Sequence, residues 1–315
     1  MTSAVAGCQF AHTIAIYYAG GTQPPMGPLQ DEVVRMVEAA QVTQVGIYST
    51  DILNAAHGSS KWALAGSSAP MSMLRALVSS PEACAALRRL DLVLEEMSPD
   101  CFELLRRNVN ALRTLVIRRA FRLDRLSHIW NPDETYWWCP SPNLTRLVLI
   151  GCQRPGAKHM VGLVACFPAL RELVWASCGT SKEPTPALPK AGWSQDLQAW
   201  SSRPTLQLLH IEHALQWELS WMGLISADTV VVAHFDENRL VRALDRTVEI
   251  FLGMEKLRVL PRRDILGIDA AYQQPPEGRT LDAICEERRV SLSRDASLLK
   301  PNKIRRWCCG KCLRG

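Results

Sequence analysis

The sequence predicts an α/β fold built from a repeated unit: an irregular solenoid with a parallel sheet on its concave face and helices or loops on its convex face. The first observation is a short apolar pattern that returns along the 315 residues. The second is that the segments between its copies are long enough to hold helices. The third is a hydrophobic content of 47%, which provides a sizeable core.

The repeated pattern is a leucine, two variable residues, an aliphatic residue, one variable residue and a second large apolar residue. In a strand this spacing sends alternate side chains inward, and each unit needs its neighbours to complete the core. The five firm copies begin at Leu87, Leu112, Leu144, Leu170 and Leu206. The weaker copies begin at Val42, Ala227 and Leu257.

Two copies carry a further feature of leucine-rich repeats. Cys152 and Cys178 each follow the last apolar position of a copy by three residues, where the repeat consensus has Asn or Cys. We interpret both cysteines as turn residues that end a strand. The spacing between firm copies varies from 25 to 36 residues, longer and less even than usual, so we expect insertions.

The connections between copies are predicted as helices or loops. Helices are expected at 99–107, 156–166 and 237–252, the last with apolar residues at helical spacing. Segments 131–142 and 178–204 are rich in proline and aromatic residues and are predicted as loops. Their aromatic side chains either fold back over the core, which we favour, or contact a partner.

Composition limits the class of protein. No stretch is apolar enough to span a membrane, and the start lacks the pattern of a secretory signal. Eleven cysteines, an odd number within apolar segments, indicate a reducing compartment, the cytoplasm or nucleus. We predict one solenoid domain over residues 1–299 and a basic tail over 300–315. The tail holds six Lys and Arg and no acid, so the net charge of +5 does not indicate a nucleic-acid-binding body.

Motifs for catalysis are missing from the sequence. It contains no phosphate-binding glycine loop, zinc-protease motif or nucleophile elbow. His210 and His213 are the only neighbouring histidines, and on a strand they point to opposite faces, so a surface role is favoured over a metal site. We therefore predict no catalytic residue, no metal and no cofactor.

The tail contains Cys308, Cys309 and Cys312 among basic residues. Three cysteines lack the fourth ligand of a structural zinc site, unless another chain supplies it. Palmitoylation is an alternative, because cysteines beside basic residues are acylated at membrane surfaces. We favour the interpretation that the tail has no function of its own.

The repeats resemble the leucine-rich-repeat portion of fungal F-box proteins. The resemblance covers about residues 12–293. Three regions carry it. The segment from His12-Thr-Ile-Ala-Ile-Tyr-Tyr through Val45-Gly-Ile-Tyr resembles an opening strand, helix and strand. The units ending at Cys152 and Cys178 resemble typical repeats, and Leu281 to Leu292 resembles a closing helix and strand. In that family an F-box precedes the repeats and binds the Skp adaptor of a cullin ubiquitin ligase. Here the first strand begins by His12, so we expect no room for it, and the adaptor is a partner only if an F-box is supplied upstream.

The predicted partner-binding surface is the concave face, formed by the residues between and just beyond the buried apolar positions. Its members are Arg89, Asp91, Val93, Thr114, Val116, Arg118, Arg146, Val148, Ile150, Glu172, Val174, Leu208, His210 and Glu212. An apolar strip of valines with charges at its edges suits a protein ligand better than a nucleic acid. The alternative is that the chain's own loops cover the strip. We expect charge reversal at Arg118 and Arg146 to weaken partner capture without lowering the Tm.

Three functions follow from this reading. The first is substrate recognition for a cullin ubiquitin ligase, as the resemblance implies. The second is a free-standing scaffold without a ubiquitin link. An enzyme is the third, and would require a site that the sequence does not show.

Overall fold

A computed structural model describes residues 13–18, 26–49, 69–93, 109–118, 143–150, 167–176, 206–212, 227–235, 240–241, 254–261 and 280–294. The chain divides into two compact units, Met1–Gln153 and Arg154–Gly315. Each unit contains parallel strands that pair with their neighbours in chain order. The predicted parallel α/β architecture is confirmed, whereas a single domain over 1–299 stays a prediction.

The described residues of the first unit form five parallel strands and three helices. Its strands are β1 Thr13–Tyr18, β2 Gln44–Ser49, β3 Arg89–Val93, β4 Thr114–Arg118 and β5 Arg146–Ile150. Its helices are α1 Met26–Ala39, α2 Ala69–Ser79 and α3 Pro81–Ala85. The three helices pack against one another, and α2 also contacts β2. The opening strand, helix and strand expected from the sequence are therefore present.

The apolar pattern sets the register of the first sheet. Leu90 of β3 is paired with Val45 on one side and Leu115 on the other, so equivalent positions of successive copies lie side by side. The same alignment continues from Leu115 to Leu147. Eight such side chains in β2–β5 are no more than 2% exposed. At about 1.5–3 kcal/mol for each large aliphatic side chain, their burial is a main source of stability. They are Val45, Ile47, Leu90, Leu92, Leu115, Ile117, Leu147 and Leu149.

In the copies that begin at Leu87 and Leu112, the opening leucine lies in a tight turn before the strand. The amide of Leu87 donates to the carbonyl of Cys84 at 3.1 Å, and Leu112 makes the same bond to Val109 at 3.3 Å. All four side chains are at most 1% exposed. The repeat therefore begins with a further buried residue three positions upstream, which the sequence pattern did not include.

Successive turns are joined through shared carbonyl oxygens. The carbonyl of Thr43 accepts from the amides of Arg88 and Arg89 at 2.8 and 3.0 Å. The carbonyl of Arg88 accepts in the same way from Arg113 and Thr114, at 2.8 and 3.0 Å. These bonds satisfy backbone groups in the turns and at the first residues of β3 and β4, and they hold adjacent turns in place.

Helices α2 and α3 were not predicted from the sequence. Ser80 separates them and caps α3, accepting from the amide of Ala83 at 3.1 Å, with Pro81 at the first helical position. The Ser80 hydroxyl also donates to Glu38 Oε1 at 2.7 Å. The cap therefore fastens α3 to α1.

The second unit has five parallel strands and one helix whose bounds the structure gives. Its strands are β6 Glu172–Ala176, β7 Leu206–Glu212, β8 Ala227–Phe235, β9 Lys256–Pro261 and β10 Ser291–Ser293. The helix is α4 Leu281–Glu287, capped by Thr280. The expected closing helix and strand are therefore present.

The copy predicted to begin at Leu257 was placed in the wrong frame. Leu257 pairs with Val230 of β8, the second apolar position of its own copy, rather than with Ala227, the first. Met254, 8% exposed, takes the first position instead. The sequence misled because Leu260 lies three residues after Leu257 and imitates the motif.

Helices α1 and α4 end in the same way. Gln41 and Arg289 have positive φ angles, 49° and 57°. The next residues, Val42 and Val290, donate to carbonyls five residues back, on Val37 and Cys285, at 3.2 and 2.8 Å. This is the Schellman arrangement, in which a left-handed residue stops the helix and a buried apolar residue follows it.

Several predicted features lie outside the described residues. They are the helices at 99–107 and 156–166, the loops at 131–142 and 178–204, the turn residues Cys152 and Cys178, His213, and the tail with Cys308, Cys309 and Cys312. Of the helix expected at 237–252, Leu240 and Val241 are helical and buried, and the rest lies outside them. No helix in the described ranges is long and apolar enough to cross a membrane.

Candidate partner-binding site

Within each unit, the residues of the predicted binding face lie on one side of the sheet, because parallel register aligns alternate residues of neighbouring strands. In the first unit its part-exposed members are Arg89, Thr114, Arg118 and Arg146. Its buried members are Asp91, Val93, Val116, Val148 and Ile150. In the second unit Glu172, Val174 and Leu208 are part-exposed and His210 is buried. The side chain of Glu212 lies outside the description.

The expected exposed apolar strip is wrong at two of its three positions. Val116 and Val148 are 0% and 1% exposed, so the chain itself covers them. Parallel sheets are usually covered on both faces, which accounts for aliphatic side chains on this side as well. Only Val174, in the second unit, keeps part of its surface. A partner that binds this face must therefore contact its polar members.

A surface role for His210 is also contradicted. Its side chain is 4% exposed. His210 lies in the middle of β7, in register with Val174 and Val231 on the adjacent strands. Burial between neighbouring strands explains why the predicted surface role is wrong.

The best-defined polar interaction of the face joins β3 to β4. Arg118 donates two hydrogen bonds to the carboxylate of Asp91, from Nε to Oδ1 at 3.2 Å and from a terminal nitrogen to Oδ2 at 3.0 Å. Arg89 adds a longer ion pair of 3.6 Å to the same carboxylate. The side chain of Asp91 is 8% exposed and that of Arg118 is 22% exposed, so the pair is shielded from much of the solvent.

Two tyrosines lie at the same end of the face. Tyr17 of β1 and Tyr48 of β2 are register partners, and their rings stack with centroids 5.0 Å apart and an interplanar angle of 25°. Tyr17 is 64% exposed, whereas Tyr48 is half-buried. Gly46 provides the space for this stack, since a Cβ at Gly46 would lie 2.5 Å from the Tyr48 ring.

The tyrosines and the ion pair form one electrostatic group. Burial raises the pKa of Tyr48, the charge of Asp91 raises it further, and Arg118 opposes the increase. Tyr48 therefore lies within the field of the Asp91–Arg118 pair. We refer to Tyr17, Tyr48, Arg89, Asp91 and Arg118 together as the tyrosine–arginine cluster.

The chemistry of this cluster suits binding. Tyrosine and arginine are enriched in protein interfaces because each combines a large flat surface with hydrogen-bonding groups. Tyr17 offers an exposed ring, and Arg89 has a side chain that is 35% exposed. Both carboxylate oxygens of Asp91 accept hydrogen bonds from Arg118, so Asp91 contributes to the cluster by positioning Arg118. Within the described parts of the chain, no group of three His, Cys, Asp or Glu residues could hold a metal ion.

Sequence reasoning missed both tyrosines of the cluster. Tyr48 directly follows the last apolar position of the weak copy that begins at Val42, the position that Arg118 occupies in its own copy. Extending the predicted face to this copy would have included Tyr48. Tyr17 required the pairing of β1 with β2, for which the sequence carries no repeat signal.

The fold and the cluster define a parallel α/β repeat protein with an aromatic and arginine-rich patch at one end of a sheet. No protein-family model matches the chain, and no curated protein is significantly similar to it.

Proposed function

We propose that the protein is a non-enzymatic interaction module that binds a protein partner through the tyrosine–arginine cluster. The observation that carries the proposal is the exposed Tyr17 ring stacked on Tyr48 beside the Asp91–Arg118 pair. The stack and the ion pair restrict the rotamers of four side chains before a partner arrives, which reduces the entropy lost on binding.

The repeated strands support the same function. Leucine-rich repeats and related arrays place equivalent strands side by side and use the resulting surface for binding. The in-register positions of β2–β5 are compatible with this class. We therefore propose a leucine-rich-repeat solenoid, with convex helices, in the cytoplasm or nucleus.

Substrate recognition for a cullin ubiquitin ligase is the specific form that the resemblance to fungal F-box proteins implies. It requires a Skp adaptor site, supplied by an F-box upstream of the repeats. The second candidate is a scaffold without any ubiquitin link. Both forms use the same cluster and differ only in the presence of the adaptor.

A tagged pull-down from the native host, followed by quantitative mass spectrometry, tests this function. Enrichment of the Skp adaptor and a cullin indicates the ligase form. Another reproducible partner without the adaptor indicates the scaffold. A Tyr17→Ser variant should lose the partner in either case. Leu29→Ser should retain it, because Leu29 is also an exposed hydrophobic residue, at 42% exposure, but lies on α1 outside the cluster. Equal retention by both variants would refute the cluster as the binding site.

A further inference from the structure

The first unit carries a second charged feature at the opposite, N-terminal ends of its strands. Four arginines lie in the turns and first positions of β3, β4 and β5, and we call this set the arginine edge. Its members are Arg88, Arg89, Arg113 and Arg146. We propose that the arginine edge binds an acidic segment of the partner protein. This inference rests on the proposed function in taking the ligand to be a protein.

Backbone hydrogen bonds fix the geometry of the edge. The amide of Arg113 donates to the carbonyl of Arg88 at 2.8 Å, so the two turns are direct neighbours. Arg89, Thr114 and Arg146 are then in register at the first positions of three adjacent strands. With about 4.8 Å between strands, the edge spans about 10 Å.

The charge of the edge is uniform. The residue before each strand and its first residue, taken over β2–β5, give eight positions with four arginines and no acid. They are Thr43, Gln44, Arg88, Arg89, Arg113, Thr114, Thr145 and Arg146. On the same face Asp91 binds Arg118 and also forms a 3.6 Å ion pair with Arg89, so Arg89 belongs to both the edge and the tyrosine–arginine cluster.

The equivalent positions of the second unit have a different character. In β6–β9, the residues in register with Glu172, the first residue of β6, and the residue before each of them include three acids and two bases. They are Arg171, Glu172, Gln207, Leu208, Asp228, Thr229, Glu255 and Lys256. The repeat therefore does not require arginine at these positions, and the edge is a property of the first unit.

Arg88 and Arg113 are solvent-exposed, and neither faces an acid in the adjacent turn. Like charges on adjacent strands repel and lower stability. Arg88 donates to the carbonyl of Ala85 at 3.3 Å, which leaves its charge unneutralised. An anionic ligand would attract both guanidinium groups and offset the repulsion between them.

The residue type also indicates the ligand. The described part of the first unit contains seven arginines and no lysine. The guanidinium group binds a carboxylate through two parallel hydrogen bonds, which the ammonium group of lysine cannot do. An edge of about 10 Å matches three or four residues of an extended acidic segment at about 3.3 Å per residue.

Nucleic acid fits the edge less well. Duplex binding uses basic residues over a large area, because many phosphates are contacted together. The described residues of the first unit hold seven arginines against five acids, a net charge of +2. Within the described residues, four of the seven arginines lie in this short edge, which suits a short acidic peptide.

Fluorescence anisotropy with a labelled oligo-glutamate peptide tests the inference on the full-length purified chain. We expect binding that weakens with added salt, and about tenfold weaker binding for the double variant Arg88→Gln/Arg113→Gln. Arg171→Gln is the matched control, since Arg171 is an exposed arginine that directly precedes a strand of the second unit, as Arg113 precedes β4. It should bind like the wild type.

The variant Arg113→Glu separates function from folding. Removing like-charge repulsion should leave the Tm unchanged or raised, while peptide binding is lost. Three results would overturn the inference: no binding of the peptide, equal losses in the Arg171 control, or tighter binding of an oligonucleotide of equal charge. If the peptide fails but Tyr17→Ser still abolishes partner capture, the acidic-segment inference falls and the proposed function stands.

Discussion

Arg118 and Asp91, 27 residues apart in sequence, lie on adjacent strands and form a two-point ion pair at 3.2 and 3.0 Å. The carboxylate is largely buried, so its partner cannot be removed without consequence. Charge reversal at Arg118 would place two negative charges together. We therefore expect a lower Tm for Arg118→Glu, in contrast to the expectation from the sequence.

Arg118→Gln should lower the free energy of unfolding by about 2 kcal/mol, less than the 3–5 kcal/mol of a fully buried pair because Arg118 keeps some solvent contact. Arg89→Gln is the matched control, since its ion pair is 3.6 Å long and more exposed, and we expect at most about 0.5 kcal/mol. Urea denaturation measures both. Equal effects would show that the two arginines share the carboxylate equally.

Gly46→Ala should destabilise the first unit by about 1 kcal/mol, because the added methyl group displaces the Tyr48 ring from its stack with Tyr17. Gly27→Ala is the opposite control. Apart from its chain neighbours and its own helix, nothing lies within 4 Å of a Cβ at Gly27. The helix preference of alanine is offset by its restriction before Pro28, so we expect a change of at most about 0.5 kcal/mol. Thermal melting of both variants decides the matter, and a neutral Gly46→Ala would argue against the stack.

Arg289→Gly should raise stability by about 0.5–1 kcal/mol, because glycine adopts a positive φ without the steric cost that arginine bears. Arg288→Gly should have the reverse effect, since Arg288 has a φ of −95° and gains nothing from glycine. A destabilising Arg289→Gly, measured by chemical denaturation, would contradict the left-handed assignment.

Cys84 should resist thiol reagents in the folded protein. Burial raises the pKa of its thiol to about 12, and the thiolate is the reactive form. The folded pKa lies above the unfolded one, so the stabilising contribution is complete below about pH 9 and is lost as the pH rises towards 12. Iodoacetamide labelling with peptide mapping, native against guanidinium-unfolded, resolves Cys84 from the other cysteines. Rapid native labelling would be inconsistent with its burial.

Strands β2–β8 were predictable because each carries the same apolar spacing, and that spacing also specifies which of their residues align. Helix α2 could have been found too, since Met73, Leu74, Leu77 and Val78 are buried at helical spacing. The frame of β9 could also have been found, because Met254, Leu257 and Val259 complete the motif, whereas the frame from Leu257 places Arg262 at its last apolar position.

The candidate site was less accessible from the sequence. Alternation identified Arg89, Asp91 and Arg118 as residues of one face, but not that Arg118 binds Asp91, which depends on register between separate copies. Burial of Val116 and Val148 was also hidden, because strand alternation tells which face a residue occupies and not what covers that face. The stack of Tyr17 on Tyr48 depends on an edge strand without a repeat signal.

Site-specific photo-crosslinking from position 17 tests the protein-binding claim most directly. A photoreactive phenylalanine analogue replaces Tyr17, which is 64% exposed, or Leu29 of α1, which is 42% exposed. After irradiation in host extract, we expect one discrete crosslinked partner from position 17 and none of that partner from position 29. No crosslink from position 17, or the same products from both positions, would contradict a binding site at the tyrosine–arginine cluster.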